Sequence, residues 1–163
     1  MTLVRWLVRI VTAFVAMIAL VYFGARFHDG PLGPIPGGPL AAGESVTTPV
    51  TDWSFAKDTG EIALQLTSQD RSRTVWIFVL DGKAYVPCSL GYPPGKSWHQ
   101  QALVDGHATV RIDGKRYPVM LTKVDDAVAQ EMGEVTRAEL SRKYGTLPPG
   151  EGGAWLFSVT SSS

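Results

Sequence analysis

The chain has 163 residues, 45% of them hydrophobic, and its 15 basic and 15 acidic side chains cancel to zero net charge. That balance excludes the basic surface on which general nucleic-acid binding depends, so no nucleic-acid partner is expected. The single cysteine, Cys88, excludes an intrachain disulfide and a Cys-rich zinc site, and His28, His99 and His107 form no H-E-x-x-H, so no metal site is expected.

Residues 11–25, VTAFVAMIALVYFGA, carry no charge, and the apolar run reaches back to Leu3, broken only by Arg5 and Arg9. A spanning helix needs about 20 apolar residues, so residues 3–25 suffice if both arginines snorkel to the interface. The stretch is apolar on every face, unlike a helix in a soluble core. The competing reading is a cleaved signal peptide, but Phe23 with Ala25 is a poor A-x-A site. The expectation is therefore an uncleaved anchor, residues 1–27, that meets the lipid bilayer through residues 3–25. Arg5 and Arg9 on one flank against Arg26 on the other place the N-terminus in the cytoplasm and export the remainder.

Residues 28–45 contain four prolines and five glycines. That composition opposes both helix and ladder formation. It reads as a semi-extended tether lifting the soluble part off the bilayer.

From about residue 46 the hydrophobic period changes to two. EIALQLTS (61–68) alternates Ile62, Leu64 and Leu66 with polar neighbours, apart from Ala63. RTVWIFVL (73–80) is a continuous β-branched and aromatic run, as a strand buried on both faces would be. Asp81-Gly82 predicts a hairpin turn into KAYVPC (83–88), and Asp113-Gly114 a second between HATVRI (107–112) and KRYPVMLTKV (115–124). Pro118 marks that last strand as an edge or a bulge. Residues 125–144 read as a helix opening on an Asp cap and closing on basic residues and Gly145, with Gly133 as a possible break. AWLFSVT (154–160) is a final strand and residues 161–163 a frayed tail. The fold class expected is mainly β with one or two helices. Its body, residues 46–160, is an antiparallel Greek-key split β-barrel of five or six strands, preceded by a single N-terminal transmembrane helix.

The chemistry is sparse. Gly95-Lys96-Ser97 ends like a phosphate-binding P-loop, but position 90 is Leu where the pattern needs Gly, and Pro93 and Pro94 offer no N–H. No G-x-S-x-G is present. Cys88 and His99 could meet in space, though a buried small hydrophobe explains Cys88 more simply. Asp125-Asp126 is explained by a helix cap rather than a carboxylate pair. Trp53 and Phe55 in TDWSFAKD (51–58) are expected to plug an open end of the barrel.

One order of features remains. A strand begins at Arg73-Thr74, a D-G hairpin follows, and then comes YVPCSLGYPPGKSWHQQALVDGHATVRIDGKRYPV (85–119). This arrangement resembles the split β-barrel flavin-binding superfamily, which includes pyridoxamine phosphate oxidases and deazaflavin-dependent nitroreductases. Lys96 sits where that superfamily's loop lysine would be, and Trp98–Leu103 looks like the nitroreductases' W-Y-x-N-L helix. The usual N-P step is Asp105-Gly106 here, and Asp70-Arg71-Ser72-Arg73 replaces a glycine-rich G-R-x-S-G. The resemblance covers residues 46–160. It implies FMN or a deazaflavin, a small-molecule substrate and a homodimer. It implies that Arg73, Lys96, and Thr74 or Ser97 hold the cofactor phosphate, while Trp76, Tyr92 and Trp98 supply an apolar slab for its ring. No catalytic residue is assigned. The other reading is the same barrel without cofactor, serving as a binding or interaction module in the envelope.

Overall fold

The computed structural model of the protein describes residues 2–145 and 153–162. Helix α1 (Thr2–Ala25) leads to β1 (Glu44–Ser45) and a 3-10 turn at Ser54–Ala56. Strands β2 (Glu61–Leu66), β3 (Ser72–Trp76), β4 (Phe78–Leu80) and β5 (Lys83–Ser89) precede helix α2 (Trp98–Val104). Strands β6 (His107–Ile112) and β7 (Lys115–Lys123), helices α3 (Asp126–Glu131) and α4 (Gly133–Tyr144), and β8 (Ala154–Ser161) complete the chain.

The strands form one sheet in the order β3–β2–β6–β7–β8–β5–β4, with every neighbouring pair antiparallel and the short β1 running parallel to the start of β7. β3 and β4 occupy opposite edges, yet only Ile77 separates them in sequence. A flat sheet cannot satisfy that connection. The sheet therefore curls until its two edges meet at Ile77, giving a mainly antiparallel half-barrel. This corrects the single strand expected over residues 73–80. The β2 ladder ends at Trp76, and the β5 ladder begins at Phe78.

The two D-G turns form as the sequence requires. Asp81 and Gly82 have φ of 49° and 73°, and Asp113 and Gly114 have 48° and 78°, the left-handed pair of a tight hairpin. Ile62, Leu64 and Leu66 point inward from β2 and are buried, as their alternation demands. Trp53 is buried in the same core, with Phe55 stacked 5.7 Å from it and Tyr117 edge-on at the same distance. Pro118 lies in a central strand, not at an edge. It is tolerated because on that side β1 pairs only with Lys115 and Arg116, and the pairing with β8 begins only at Val119.

The expected helix over residues 125–144 is present as two pieces that meet at Met132–Gly133. Asp125 caps the first by accepting from the Ala127 N–H at 2.9 Å, and Gly145 closes the second at φ 75°. The last turn of α4 fills the seam between β3 and β4. Tyr144 Oη meets the Ile77 N–H at 3.2 Å and bonds to the Gly60 carbonyl, and Lys143 donates to the carbonyls of Thr59 and Ile77. β8 takes in Ser161, and the Ser162 N–H donates to the Pro118 carbonyl, so the sheet extends into the tail expected at 161–163.

Leu3–Ala25 is long and apolar enough to cross a membrane. Residues 3–24 are exposed along its length, which a soluble-core helix would not tolerate. The segment after it is no loose tether. Gly37 and Ser72 exchange backbone hydrogen bonds at 3.0 and 3.3 Å, so the segment covers the open edge of β3. A Gly/Pro-rich stretch makes few hydrogen bonds of its own, and its free carbonyls are taken by side chains of the sheet. Ser72 Oγ donates to Gly38, Arg71 to Pro36, and Arg116 to Leu40 and Gly43. Arg111 pairs with Asp29 at 2.7 Å. Gly37 is required by contact: a Cβ there would lie 1.7 Å from the Gly30 carbonyl oxygen. We call residues 28–45 the strap.

Candidate functional site

A pocket of 740 Å³ opens between the strap, the start of β3, the loop before α2, and α2 itself. The strap contributes Pro34 and Pro36. The β2–β3 connection contributes Gln69, Asp70 and Arg71, β3 contributes Arg73 and Thr74, and the loop brings Lys96, Ser97 and Trp98. Five of the seven residues expected at the site thus line one cavity.

Arg73 lies on β3, with its guanidinium donating to Gln69 Oε1 and sitting 5.9 Å from the centre of the Trp98 ring. No carboxylate pairs with it among the described residues. Burial, and then the charge of Arg71, push its pKa down to about 10, with Cys88 acting weakly in the other direction. A half-buried guanidinium held this way is stabilised by any anion that enters. Lys96 folds over its own loop, donating to the carbonyls of Ser89 and Tyr92. Ser97 precedes α2, its hydroxyl making no capping bond. Trp98 forms the floor. It is buried, and its ring lies 5.5 Å from that of Phe157. Thr74 is on the wall, but its hydroxyl is engaged by the strap, donating to the Gly33 carbonyl at 2.6 Å.

Trp76 lies outside the pocket. It is three residues beyond Arg73, about 10 Å along an extended strand, and its face is covered by Tyr144. Tyr92 also stands outside the lining, exposed on the loop. Cys88 and His99 are both buried beneath the site and share no hydrogen bond. Burial pushes the Cys88 thiol up against the opposing pull of Lys96 and Arg73. Burial and the Lys96 charge push His99 down, and its Nδ1 has no partner among the described residues.

The sequence reading missed Arg71 and the strap prolines. Arg71 and Arg73 are two residues apart, and the period of two along extended chain sets both toward one face. The strap carries no local signal of its partners, which lie far off in sequence. Taken together, the pocket offers three cations, the hydroxyls of Ser68 and Ser97 and one carboxylate, a donor set suited to holding an anion. Among the described residues its lining contains no cysteine and no histidine.

No family model matches the chain, and no curated protein matches it. Among solved structures it is similar to a Listeria innocua protein named "Putative Pyridoxamine 5'-phosphate oxidase", with 12% identity and a TM-score of 0.43, over 68% of this chain and 90% of that one.

Proposed function

We propose that this is a membrane-anchored half-barrel protein that binds FMN or a deazaflavin by its phosphate and reduces a small molecule. The observation that supports this most is the convergence of Arg73 and Lys96, 23 positions apart, on one pocket with no carboxylate paired to either among the described residues. The phosphate end of such a cofactor fits: Arg73, Lys96 and the Ser97 hydroxyl supply charged and neutral donors. The ring end is less complete in one chain, because Tyr144 covers Trp76 and Trp98 is turned into the core. A second copy of the chain, as the resemblance implies, would complete the slab. When bound, a flavin supplies the hydride chemistry itself. The residues here bind and orient its phosphate. α1 anchors the protein with its N-terminus in the cytoplasm and the barrel outside.

The purified full chain in detergent should show a flavin-type visible spectrum, or bind FMN or a deazaflavin at micromolar concentration by fluorescence quenching. Its mass in micelles should be that of a dimer. A colourless protein that binds neither cofactor would favour the second reading, a non-catalytic interaction module, which the covered Trp76 and Trp98 faces support.

A further inference from the structure

Resting on that site, we infer that the strap is part of it: Arg71, held at the pocket by the Pro36 carbonyl, is a third cation for the ligand, and the group bound is a dianionic phosphomonoester. Three observations converge. Pro34 and Pro36 form one wall of the pocket, so the strap encloses the ligand as well as covering the sheet. Arg71 donates from one terminal nitrogen to the Pro36 carbonyl at 2.8 Å, while its Nε is buried without a partner among the described residues. A buried N–H with no acceptor is costly, and an oxyanion reaching into the pocket would supply one. Third, Arg71, Arg73 and Lys96 face a single carboxylate, Asp70, leaving two positive charges in surplus. That surplus matches a terminal phosphate, which carries close to two negative charges at neutral pH, better than a diester carrying one.

The arrangement links ligand to strap. An anion shared by Arg71 and Arg73 relieves the repulsion between them. It also fixes Arg71 where it holds Pro36, so the strap closes more firmly when the site is filled. The strap continues directly from the turn after α1, where the Gly38 N–H donates to the His28 carbonyl at 2.9 Å. Filling the site therefore stiffens the connection between the barrel and the membrane helix.

The test is hydrogen exchange on the full chain in detergent micelles, read in peptides covering residues 33–40 and 70–76. The probes are FMN, phenyl phosphate as monoester, and methyl phenyl phosphate as diester. Wild type should show slowed exchange in both peptides with FMN and with phenyl phosphate, and the diester should need at least tenfold more. Arg71→Gln removes the charge, and its shorter side chain also gives up the bond to Pro36, so its protection is read against its own unliganded strap. It should need at least tenfold more phosphomonoester for half-maximal protection. Arg71→Lys, which restores charge, should recover part of the loss. Protection in Arg71→Gln equal to wild type, or a strap that does not respond to any phosphomonoester, overturns the inference. The flavin reading fails separately. Phenyl phosphate acting where FMN does not removes the flavin and leaves the strap site, whereas FMN binding that ignores Arg71 but needs Arg73 does the reverse.

Discussion

Tyr144 lies flat on Trp76, ring centroids 4.0 Å apart and planes 11° from parallel. The contact joins the last turn of α4 to the end of β3, where the sheet's two edges meet. The phenol oxygen bonds to the Gly60 carbonyl and meets Ile77 N and O at 3.2 and 3.1 Å, so one side chain ties the two halves of the seam. Trp76 is thus committed to closing the barrel rather than to the pocket.

Removing that hydroxyl should weaken the fold without opening the site. Tyr144→Phe keeps the stack and loses the hydrogen bonds, and should cost about 1–3 kcal/mol in urea unfolding of the chain in detergent. Burial pushes the Tyr144 phenol up to about 12 from an ordinary 10, with the Ile77 backbone bond acting the other way. The fold holds the protonated form. Its contribution is therefore whole below pH 10 and is lost as pH rises from there through about 12. Wild type should lose stability over that window more steeply than Tyr144→Phe, and superimposable pH profiles would contradict the assignment.

The strap should be a folded element. Gly37→Ala places a methyl carbon where the Gly30 carbonyl now stands, and backbone cannot yield cheaply there. In limited proteolysis, wild type should resist cutting between residues 28 and 45, and the variant should be nicked there while its barrel stays intact. Equal resistance would mean that the strap absorbs the change.

Cys88 should be chemically quiet. It is buried, and burial outweighs the two nearby cations in setting its thiol. At pH 8 it should react with a thiol reagent many times more slowly than in urea-unfolded chain. Cys88→Ala should leave ligand affinity unchanged. Fast labelling of the folded protein would mean that the pocket reaches the sulfur.

The sequence carried the local features well and the long-range ones unevenly. Asp81-Gly82 and Asp113-Gly114 announce their turns because only a few residues accept positive φ. The alternation of Ile62, Leu64 and Leu66 announces β2 because one face of it is core. Arg73, Lys96, Ser97 and Trp98 were found together through a resemblance in the order of features, and the curl of the sheet brings them to one cavity. The break at Ile77 was hidden because an apolar run looks the same whether it stays in one ladder or passes from one edge of the sheet to the other. Residues 28–45 looked like a tether because Gly and Pro report only what the chain cannot do locally. Their partners, Arg71, Arg111 and Arg116, are distant side chains. Trp76 was misplaced because composition does not tell which end of a strand a ligand would reach.

Arg73 and Lys96 are the two residues proposed to hold an anionic cofactor. The most direct measurement is a fluorescence titration of FMN, and of a deazaflavin, into the full-length chain and into its Arg73→Ala, Lys96→Ala double variant, with folding checked by circular dichroism. Each charged hydrogen bond contributes about 1.5–3 kcal/mol, so wild type should bind at micromolar concentration and the folded variant should lose at least tenfold in affinity. Equal affinity in both, or no binding to wild type, would contradict it.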